Sequence, residues 1–183
     1  MTPYFFGYGS LVNRATHAYP DAQPASLSGW RRTWVQTPAR AAVYLSVEPA
    51  ADVSIDGLIA AVPGADWAAL DQREAAYARV ASGGAVSHAL SPAPDVSHYT
   101  VTDTRHVTAN PFIVLSYLDI VVQGFLREYG KDGVARFFAS TAGWETPILD
   151  DRAAPRYARY HQLTKAEEAL VDDHLAALPT RVK

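Results

Sequence analysis

The chain has 183 residues, of which 49% are hydrophobic and 19% charged, and its formal net charge is -3. This length and composition predict one packed domain and exclude a largely disordered chain. A slightly acidic chain lacks the basic surface that nucleic acid requires, so we expect a small polar ligand and no nucleic-acid partner.

The chain contains no cysteine, which excludes disulfides, thiolate metal sites and a cysteine nucleophile. Its six histidines show neither the H-E-x-x-H spacing nor a facial-triad pattern, so we expect no metal and no other cofactor. No apolar stretch is long enough to span a bilayer, and no basic start precedes an apolar run. We therefore expect a cytoplasmic protein without a membrane partner, either a monomer or a homodimer.

The first predicted element is a buried strand that runs into a turn relaxed by Gly7 and Gly9, Tyr4-Phe5-Phe6-Gly7-Tyr8-Gly9-Ser10-Leu11. Such a turn can point several N–H groups into one small space and hold a carboxylate or an oxyanion. The alternative is a strand edge and a tight turn without a ligand. The third glycine of a dinucleotide fingerprint is missing, and Ser10 lacks the flanking glycines of a nucleophile elbow.

After this loop, the sequence predicts a short helix at residues 11–19 and a turn-rich segment at residues 21–28. Three strands are predicted next, at residues 29–36, 40–47 and 55–62. The last two strands are predicted to be joined by a turn segment that holds Pro49 and Asp56-Gly57, because such residues favour turns.

Asp66 is predicted to cap a helix whose apolar stripe contains four residues at helical spacing, Trp67, Leu70, Glu74 and Tyr77. A carboxylate on the apolar side of a helix must be hydrated in a cleft, paired or protonated, because isolated burial of charge is costly. Trp67 and Leu70 are expected to provide apolar surroundings that raise the pKa of Glu74. The alternative is a surface glutamate paired with a cation such as Arg73.

Two further strands are predicted at residues 86–90 and 99–107, and three helices at residues 110–130, 131–140 and 164–179. Residues 144–160 show no clear hydrophobic period and are predicted to form one long loop. Gly130 is predicted to end the first of these helices, and the capping box Thr164-Lys165-Ala166-Glu167 opens the last. A loop as long as residues 144–160 is more often functional than idle. Strands in the first two thirds and helices in the last third predict an α+β fold.

Two motifs carry a family resemblance. Tyr8-Gly9-Ser10-Leu11 after a hydrophobic strand resembles the signature loop of the γ-glutamylcyclotransferase family, and Leu70-Asp71-Gln72-Arg73-Glu74 resembles its glutamate after a Leu-Asp pair. Residues 144–147 and 150–157 extend the resemblance. It implies a small mixed β-barrel-like sheet with surrounding helices. It also implies an internal aminolysis, in which a γ-glutamyl α-amine attacks its own γ-carbonyl and releases 5-oxoproline and an amine without any cofactor.

The same resemblance implies roles for individual residues. Glu74 becomes the general acid/base, and the loop binds the γ-glutamyl group through backbone N–H groups of four residues, Tyr8, Gly9, Ser10 and Leu11. Tyr117 resembles a tyrosine of the family's long helix that hydrogen-bonds in the pocket, although tyrosines at helical spacing usually belong to the core or its rim. Ala75 stands where many relatives have glycine, so the substrate stays open among γ-glutamyl amino acids, γ-glutamylamines and glutathione.

Several alternatives accompany this interpretation. Arg152 or Arg156 could bind the carboxylate of a leaving amino acid through a bidentate guanidinium contact. The favoured alternative is that these arginines form structural ion pairs with Asp150 or Asp151. The chain is alternatively a non-catalytic protein that binds a small carboxylate or a partner on the same scaffold. A further alternative is an unrelated hydrolase that uses Ser10 with a histidine.

Overall fold

The computed structural model describes residues 1–37, 42–102, 110–180 and 182. Nine strands in these ranges form one mixed sheet: β1 Tyr4–Gly7, β2 Gln23–Gln36, β3 Ala42–Ala61, β4 Ala78–Ala81, β5 Val86–Ser87, β6 Val96–Thr100, β7 Phe112–Val114, β8 Thr141–Ala142 and β9 Ile148–Leu149. The same ranges contain three α-helices: α1 Ala68–Arg73, α2 Leu115–Ala139 and α3 Lys165–Ala176. The predicted α+β fold with a mixed sheet is confirmed. In the described ranges, no helix combines the length and apolarity that crossing a membrane requires.

Strand β1 lies inside the sheet, antiparallel to β3 and parallel to β6. Its Phe5 and Phe6 are buried, with 0% and 1% exposure. Strands β2 and β3 pair antiparallel along most of their length on the other side of β1. The loop after β1 therefore starts from a packed and paired strand, which fixes its position.

The prediction of a turn-rich segment at residues 21–28 is wrong for most of its length. Strand β2 begins at Gln23 and pairs with β3 from that residue onward. Ala25 and Leu27 alternate inward and are 7% and 0% exposed. This period of two is a strand signal, and it outweighs the serines that face outward between the apolar residues.

The prediction of two strands joined by a turn at Pro49 and Asp56-Gly57 is also wrong. Strand β3 continues through these residues because it pairs with β2 on both sides of a register shift at residues 28–30. Proline is tolerated in a strand next to such a bulge. Gly57 is needed for close packing, since a Cβ there would lie 2.3 Å from Cζ of Phe6.

Helix α1 is shorter than predicted. Asp66 Oδ1 accepts a hydrogen bond from the N–H of Ala68 at 3.1 Å, but the helix ends at Arg73 with Glu74 as its C-terminal cap. Tyr77 lies outside the helix, and its N–H donates to the carbonyl of Glu74 at 2.7 Å. The chain turns here because it enters β4, a strand that the sequence interpretation missed and that pairs with β6.

Two predicted strands also have different bounds. The strand predicted at residues 86–90 is reduced to β5, a short partner of β2. The strand predicted at residues 99–107 begins earlier, since β6 runs from Val96 to Thr100. Residues 103–107 of that prediction lie outside the described residues.

The long helix begins at Leu115, five residues after the predicted start at Asn110, because residues 112–114 form β7 between β3 and β9. Asp151 caps it, accepting a hydrogen bond from the N–H of Ser116 at 2.8 Å. The predicted helix end at Gly130 and the second helix predicted at residues 131–140 correspond to a kink in α2, since Gly130 has the non-helical angles φ 66° and ψ -169° and helical residues follow it to Ala139. The predicted capping box at residues 164–167 is confirmed as well.

We expect the stability of the fold to depend on pH through His98. This residue is 0% exposed, its ring packs against Trp30 at 4.6 Å between centroids, and Nδ1 lies 2.9 Å from Oγ of Ser82. Burial lowers the pKa of His98 from 6.5 to about 4. The unfolded chain therefore binds this proton as the pH falls below 6.5, whereas the folded protein does not until about pH 4, which costs up to about 3 kcal/mol of stability.

Urea unfolding of the wild type and of His98→Gln at pH 7 and pH 4.5 measures this contribution. The loss of stability between the two pH values should be smaller in His98→Gln than in the wild type. His88→Gln, which changes a partly exposed histidine, serves as the control and should follow the wild type. An equal loss in wild type and His98→Gln would contradict the assignment.

Candidate active site

The loop after β1 closes into two short 3-10 turns, Ser10–Val12 and Arg14–Thr16. The carbonyl of Gly9 accepts from the N–H of Val12 at 3.0 Å, and the carbonyl of Ser10 accepts from the N–H of Asn13 at 3.1 Å. In the part of the chain that the structure describes, the N–H groups of Gly9, Ser10 and Leu11 meet no acceptor. The turn therefore leaves these three donors without a protein acceptor in the described ranges.

The loop requires glycine at residues 7 and 9 for a different physical reason from the one predicted. Neither Gly7 nor Gly9 adopts the left-handed backbone conformation, and φ of Gly9 is -122°. A Cβ on Gly7 would instead lie 2.4 Å from Cβ of Leu11, and a Cβ on Gly9 would lie 2.8 Å from the hydroxyl oxygen of Tyr117. The loop thus needs glycine because other groups approach it closely.

The residues singled out from the sequence line one small cavity of about 40 Å³, namely Tyr8, Gly9, Ser10, Leu11, Glu74 and Tyr117. A larger cleft of about 400 Å³ shares four lining residues with this cavity, Ser10, Glu74, Tyr77 and Tyr117. The loop after β1, the end of α1 and the first turn of α2 therefore meet at one place.

Glu74 is both paired and largely buried. Its side chain is 17% exposed, and Oε1 lies 3.1 Å from Nε of Arg73. Burial raises the pKa of Glu74, while the positive charges of Arg73 and Arg159 oppose that rise. The pairing with Arg73 that was considered as an alternative is present, but it lies at the cleft rather than on the open surface.

Of the two predicted apolar neighbours of Glu74, Leu70 accepts a hydrogen bond from the N–H of Glu74 at 2.9 Å, but neither Trp67 nor Leu70 lines the cavity or the cleft. On the side that faces these spaces, Glu74 is accompanied by tyrosines, since Tyr77 and Tyr117 line both of them. The hydroxyl of Tyr77 donates to the carbonyl of Leu45 at 3.0 Å. This difference follows from the early end of α1, which moves Tyr77 off the predicted helical stripe.

Arg73 connects Glu74 to the loop. Its guanidinium donates to the carbonyl of Thr16 at 2.9 Å and to the hydroxyl oxygens of Ser10 and Thr16, each at 3.2 Å. The Arg73 side chain is 8% exposed. Because the same group pairs with Glu74, the positions of the carboxylate and of the loop are coupled.

Tyr117 is held by other aromatic rings and is 5% exposed. The rings of Tyr44, Tyr157 and Trp34 lie 4.9, 5.1 and 6.0 Å from it between centroids. Burial, together with Tyr77, Tyr157 and Glu74, raises the pKa of Tyr117 well above its ordinary value. The hydroxyl therefore remains protonated at neutral pH and has little freedom to move.

Asp71, the acid of the Leu-Asp pair, has a structural role. It accepts a hydrogen bond from the hydroxyl of Tyr99 and pairs with Arg79, whose Nε lies 3.0 Å from Oδ1. The hydrogen bond from Tyr99, and next Arg79, lowers the pKa of Asp71. The backbone carbonyl of Tyr99 in turn accepts from the hydroxyl of Tyr8 at 2.6 Å. These contacts tie α1 and the start of the loop to β6.

The two arginines of the long loop differ. Arg152 forms the structural ion pairs that the sequence favoured, but with Asp119 at 2.8 Å and Asp172 at 2.7 Å instead of Asp150 or Asp151. The side chain of Asp150 accepts a hydrogen bond from the backbone N–H of Arg152 and forms no ion pair with its guanidinium in the described ranges. Arg156 lines the 400 Å³ cleft together with Arg159.

Ser10 has no histidine beside it among the described residues. Its hydroxyl accepts from Arg73, and the nearby His17 uses Nε2 to contact the carbonyl of Leu11 at 3.1 Å. The pairing of a serine with a base that a hydrolase needs is therefore not formed there. Within the described ranges, no group of three or more His, Asp or Glu side chains is placed to hold a metal ion.

Neither a protein-family profile nor a curated protein sequence matches the chain. Solved structures do resemble it. A gamma-glutamyl cyclotransferase aligns with 93% of this chain and 98% of its own, at 13% identity and a TM-score of 0.56. An uncharacterised protein from Homo sapiens aligns with 92% of this chain and 97% of its own, at 14% identity and a TM-score of 0.56.

YkqA from Bacillus subtilis aligns with 98% of this chain but only 56% of its own length, at 17% identity and a TM-score of 0.51. These likenesses span nearly all of the chain. The chain therefore has the γ-glutamylcyclotransferase-like fold that its two motifs predicted.

Proposed function

We propose that the chain acts as one domain that cyclises a γ-glutamyl compound to 5-oxoproline and a free amine. The observation that carries this proposal is the shared cavity, which is lined by a largely buried carboxylate, Glu74, and by the loop residues Gly9, Ser10 and Leu11 with their N–H donors. A base and an anion-binding loop are the two parts that an internal aminolysis needs. The solved gamma-glutamyl cyclotransferase with the same fold supports it.

The reaction uses groups of one substrate molecule. Glu74 takes a proton from the α-ammonium, and the freed amine attacks the γ-carbonyl carbon to form the new C–N bond. The loop N–H groups stabilise the oxyanion that develops on the carbonyl oxygen. Protonated Glu74 then gives this proton to the leaving nitrogen as the old C–N bond breaks. The new ring nitrogen loses its second proton in the same step, and the released amine takes it up, so the products are the neutral lactam and an ammonium. Well-oriented intramolecular reactions reach effective molarities of about 10⁵ M or more, so positioning supplies much of the rate.

The electrostatics of Glu74 suit this cycle. A general acid/base works best when its pKa lies near the operating pH, and burial raises the pKa of Glu74 in that direction. Arg73 and Arg159 oppose this rise in the pKa of Glu74, because their positive charges favour the carboxylate form. Tyr117 adds a neutral hydroxyl beside the loop.

We expect Arg73→Gln to shift the pH dependence of the reaction. Removal of the positive charge raises the pKa of Glu74, so the acidic limb of kcat/KM moves to higher pH. The loss of contacts to Ser10 and Thr16 should also lower kcat/KM about tenfold. A merely structural role of Arg73 would lower the rate without moving the limb.

Arg31→Gln is the matched control for Arg73→Gln, because Arg31 pairs with Glu48 on exposed strands away from the cleft. Its pH profile should follow the wild type. An unshifted acidic limb in Arg73→Gln would contradict the proposed electrostatic link to Glu74.

A substrate panel tests the proposed function. The purified protein is incubated with γ-glutamyl amino acids, γ-glutamylamines and glutathione, and 5-oxoproline is measured by mass spectrometry. Release from at least one class is expected. Binding of a γ-glutamyl compound without any release would instead favour the alternative of a non-catalytic carboxylate-binding protein.

A further inference from the structure

The lining of the cleft has an excess of positive charge. Arg156 and Arg159 line it, and in the described ranges neither guanidinium has a hydrogen-bond or ion-pair partner. Glu74 is the one carboxylate among the described lining residues, and it is already paired with Arg73. The charge of Arg159 acts on Glu74 at longer range, but three arginines, Arg73, Arg156 and Arg159, share this single carboxylate. Positive charges therefore outnumber negative ones in the cleft lining, in contrast to Arg152, which pairs with two aspartates.

The segment that carries these arginines is firmly attached to the start of α2. Asp151 is 6% exposed and accepts from the hydroxyl of Ser116 at 2.6 Å and from the backbone N–H of Arg156 at 2.7 Å. The N–H of Tyr157 donates to the hydroxyl oxygen of Ser116 at 3.2 Å, and its ring packs on Tyr117. The backbone is thus fixed by contacts that leave the guanidinium of Arg156 unused.

We propose that Arg156 and Arg159 form a subsite for a carboxylate on the leaving group, an inference that rests on the proposed cyclisation. A γ-glutamyl amino acid carries one ammonium and two carboxylates, whereas a simple γ-glutamylamine lacks the second carboxylate. With the ammonium at Glu74 and with the γ-carbonyl and the first carboxylate at the loop, the second carboxylate is the charged group that remains available to the arginines in the same cleft. Guanidinium groups bind carboxylates in a bidentate, charge-assisted manner.

The size of the cleft agrees with such a substrate. Its volume of about 400 Å³ lies in the range of about 300–1,000 Å³ that is usual for small-molecule sites. The subsite selects γ-glutamyl amino acids and γ-glutamyl peptides that end in a carboxylate over γ-glutamylamines. Arg156 and Arg159 are accordingly specificity-determining residues, outside the proton transfer itself.

The test compares γ-glutamyl-alanine with γ-glutamyl-ethylamine, which differ only in the carboxylate. We expect the wild type to prefer γ-glutamyl-alanine by about tenfold or more in kcat/KM, since hydrogen bonds to charged groups are strong. Arg156→Gln and Arg159→Gln should each reduce this ratio, and the double variant should bring it close to one. Arg127→Gln removes the same charge from an exposed residue that does not line the cleft, and should keep the wild-type ratio.

The outcomes separate the two proposals. Equal use of both substrates by the wild type, or an unchanged ratio in the double variant, would overturn the subsite while the cyclisation stands. Release of 5-oxoproline from neither substrate, nor from any compound of the panel, would overturn the proposed function and the subsite with it. A preference for γ-glutamyl-alanine that disappears only in the arginine variants supports the inference.

Discussion

Glu74→Gln is expected to lower kcat/KM for 5-oxoproline release by about 10²–10⁴-fold, the usual contribution of a general acid/base. Glutamine keeps the shape of the side chain but cannot take the proton from the substrate ammonium. The substituted side chain remains among the same neighbours, because Arg73 still has Ser10 and Thr16 as partners. Circular dichroism and urea unfolding should therefore show a folded protein.

Glu48→Gln is the matched control for this change. Glu48 lies on β3, pairs with Arg31 and is 42% exposed in its side chain, so its replacement removes a carboxylate far from catalysis. Its kcat/KM should equal that of the wild type. A Glu74→Gln protein that is folded and retains full activity would contradict the role of Glu74 as acid/base.

Gly9→Ala is expected to lower kcat/KM by about 10²-fold, because a displacement of the loop by about 1 Å misaligns its N–H groups with the substrate. The added Cβ would lie 2.8 Å from the hydroxyl oxygen of Tyr117. That hydroxyl cannot yield easily, since the ring is buried among Tyr44, Tyr157 and Trp34. The loop must move instead.

Two variants make the Gly9→Ala result specific. Gly84→Ala introduces the same methyl group where no atom lies within 4 Å, and should have no effect on activity. Tyr117→Phe removes the clashing oxygen, so Gly9→Ala should cost less in a Tyr117→Phe background than in the wild type. Equal losses in the two backgrounds would mean that the close approach to Tyr117 does not determine the geometry of the loop.

Local sequence signals predicted those parts of the fold that depend on neighbouring residues. The aromatic strand β1 and the capping box of α3 are examples, because strand propensity and helix capping act within a few residues. Gly130 was recognised as a helix interruption for the same reason. The continuation of β3 through Pro49 was not predicted, since pairing with β2 across a bulge is a tertiary effect that overrides local turn preference.

The residues of the candidate site also fall into those that local sequence motifs predicted and those that depend on tertiary structure. The loop and Glu74 were recognised because each belongs to a short sequence motif, and both line the same cavity in the structure. The contribution of Tyr77 was attributed to a helix that in fact ends earlier. Arg159 was missed because its segment has no periodic pattern, and only the attachment of the long loop to α2 brings it to the cleft.

Product analysis in H₂¹⁸O tests the central claim most directly. The wild-type protein is incubated with γ-glutamyl-alanine in labelled water, and the products are identified by mass spectrometry. Internal aminolysis uses no water, so we expect unlabelled 5-oxoproline and free alanine in equal amounts. Glutamate that carries one ¹⁸O atom would show that water attacks the γ-carbonyl, and would contradict cyclisation.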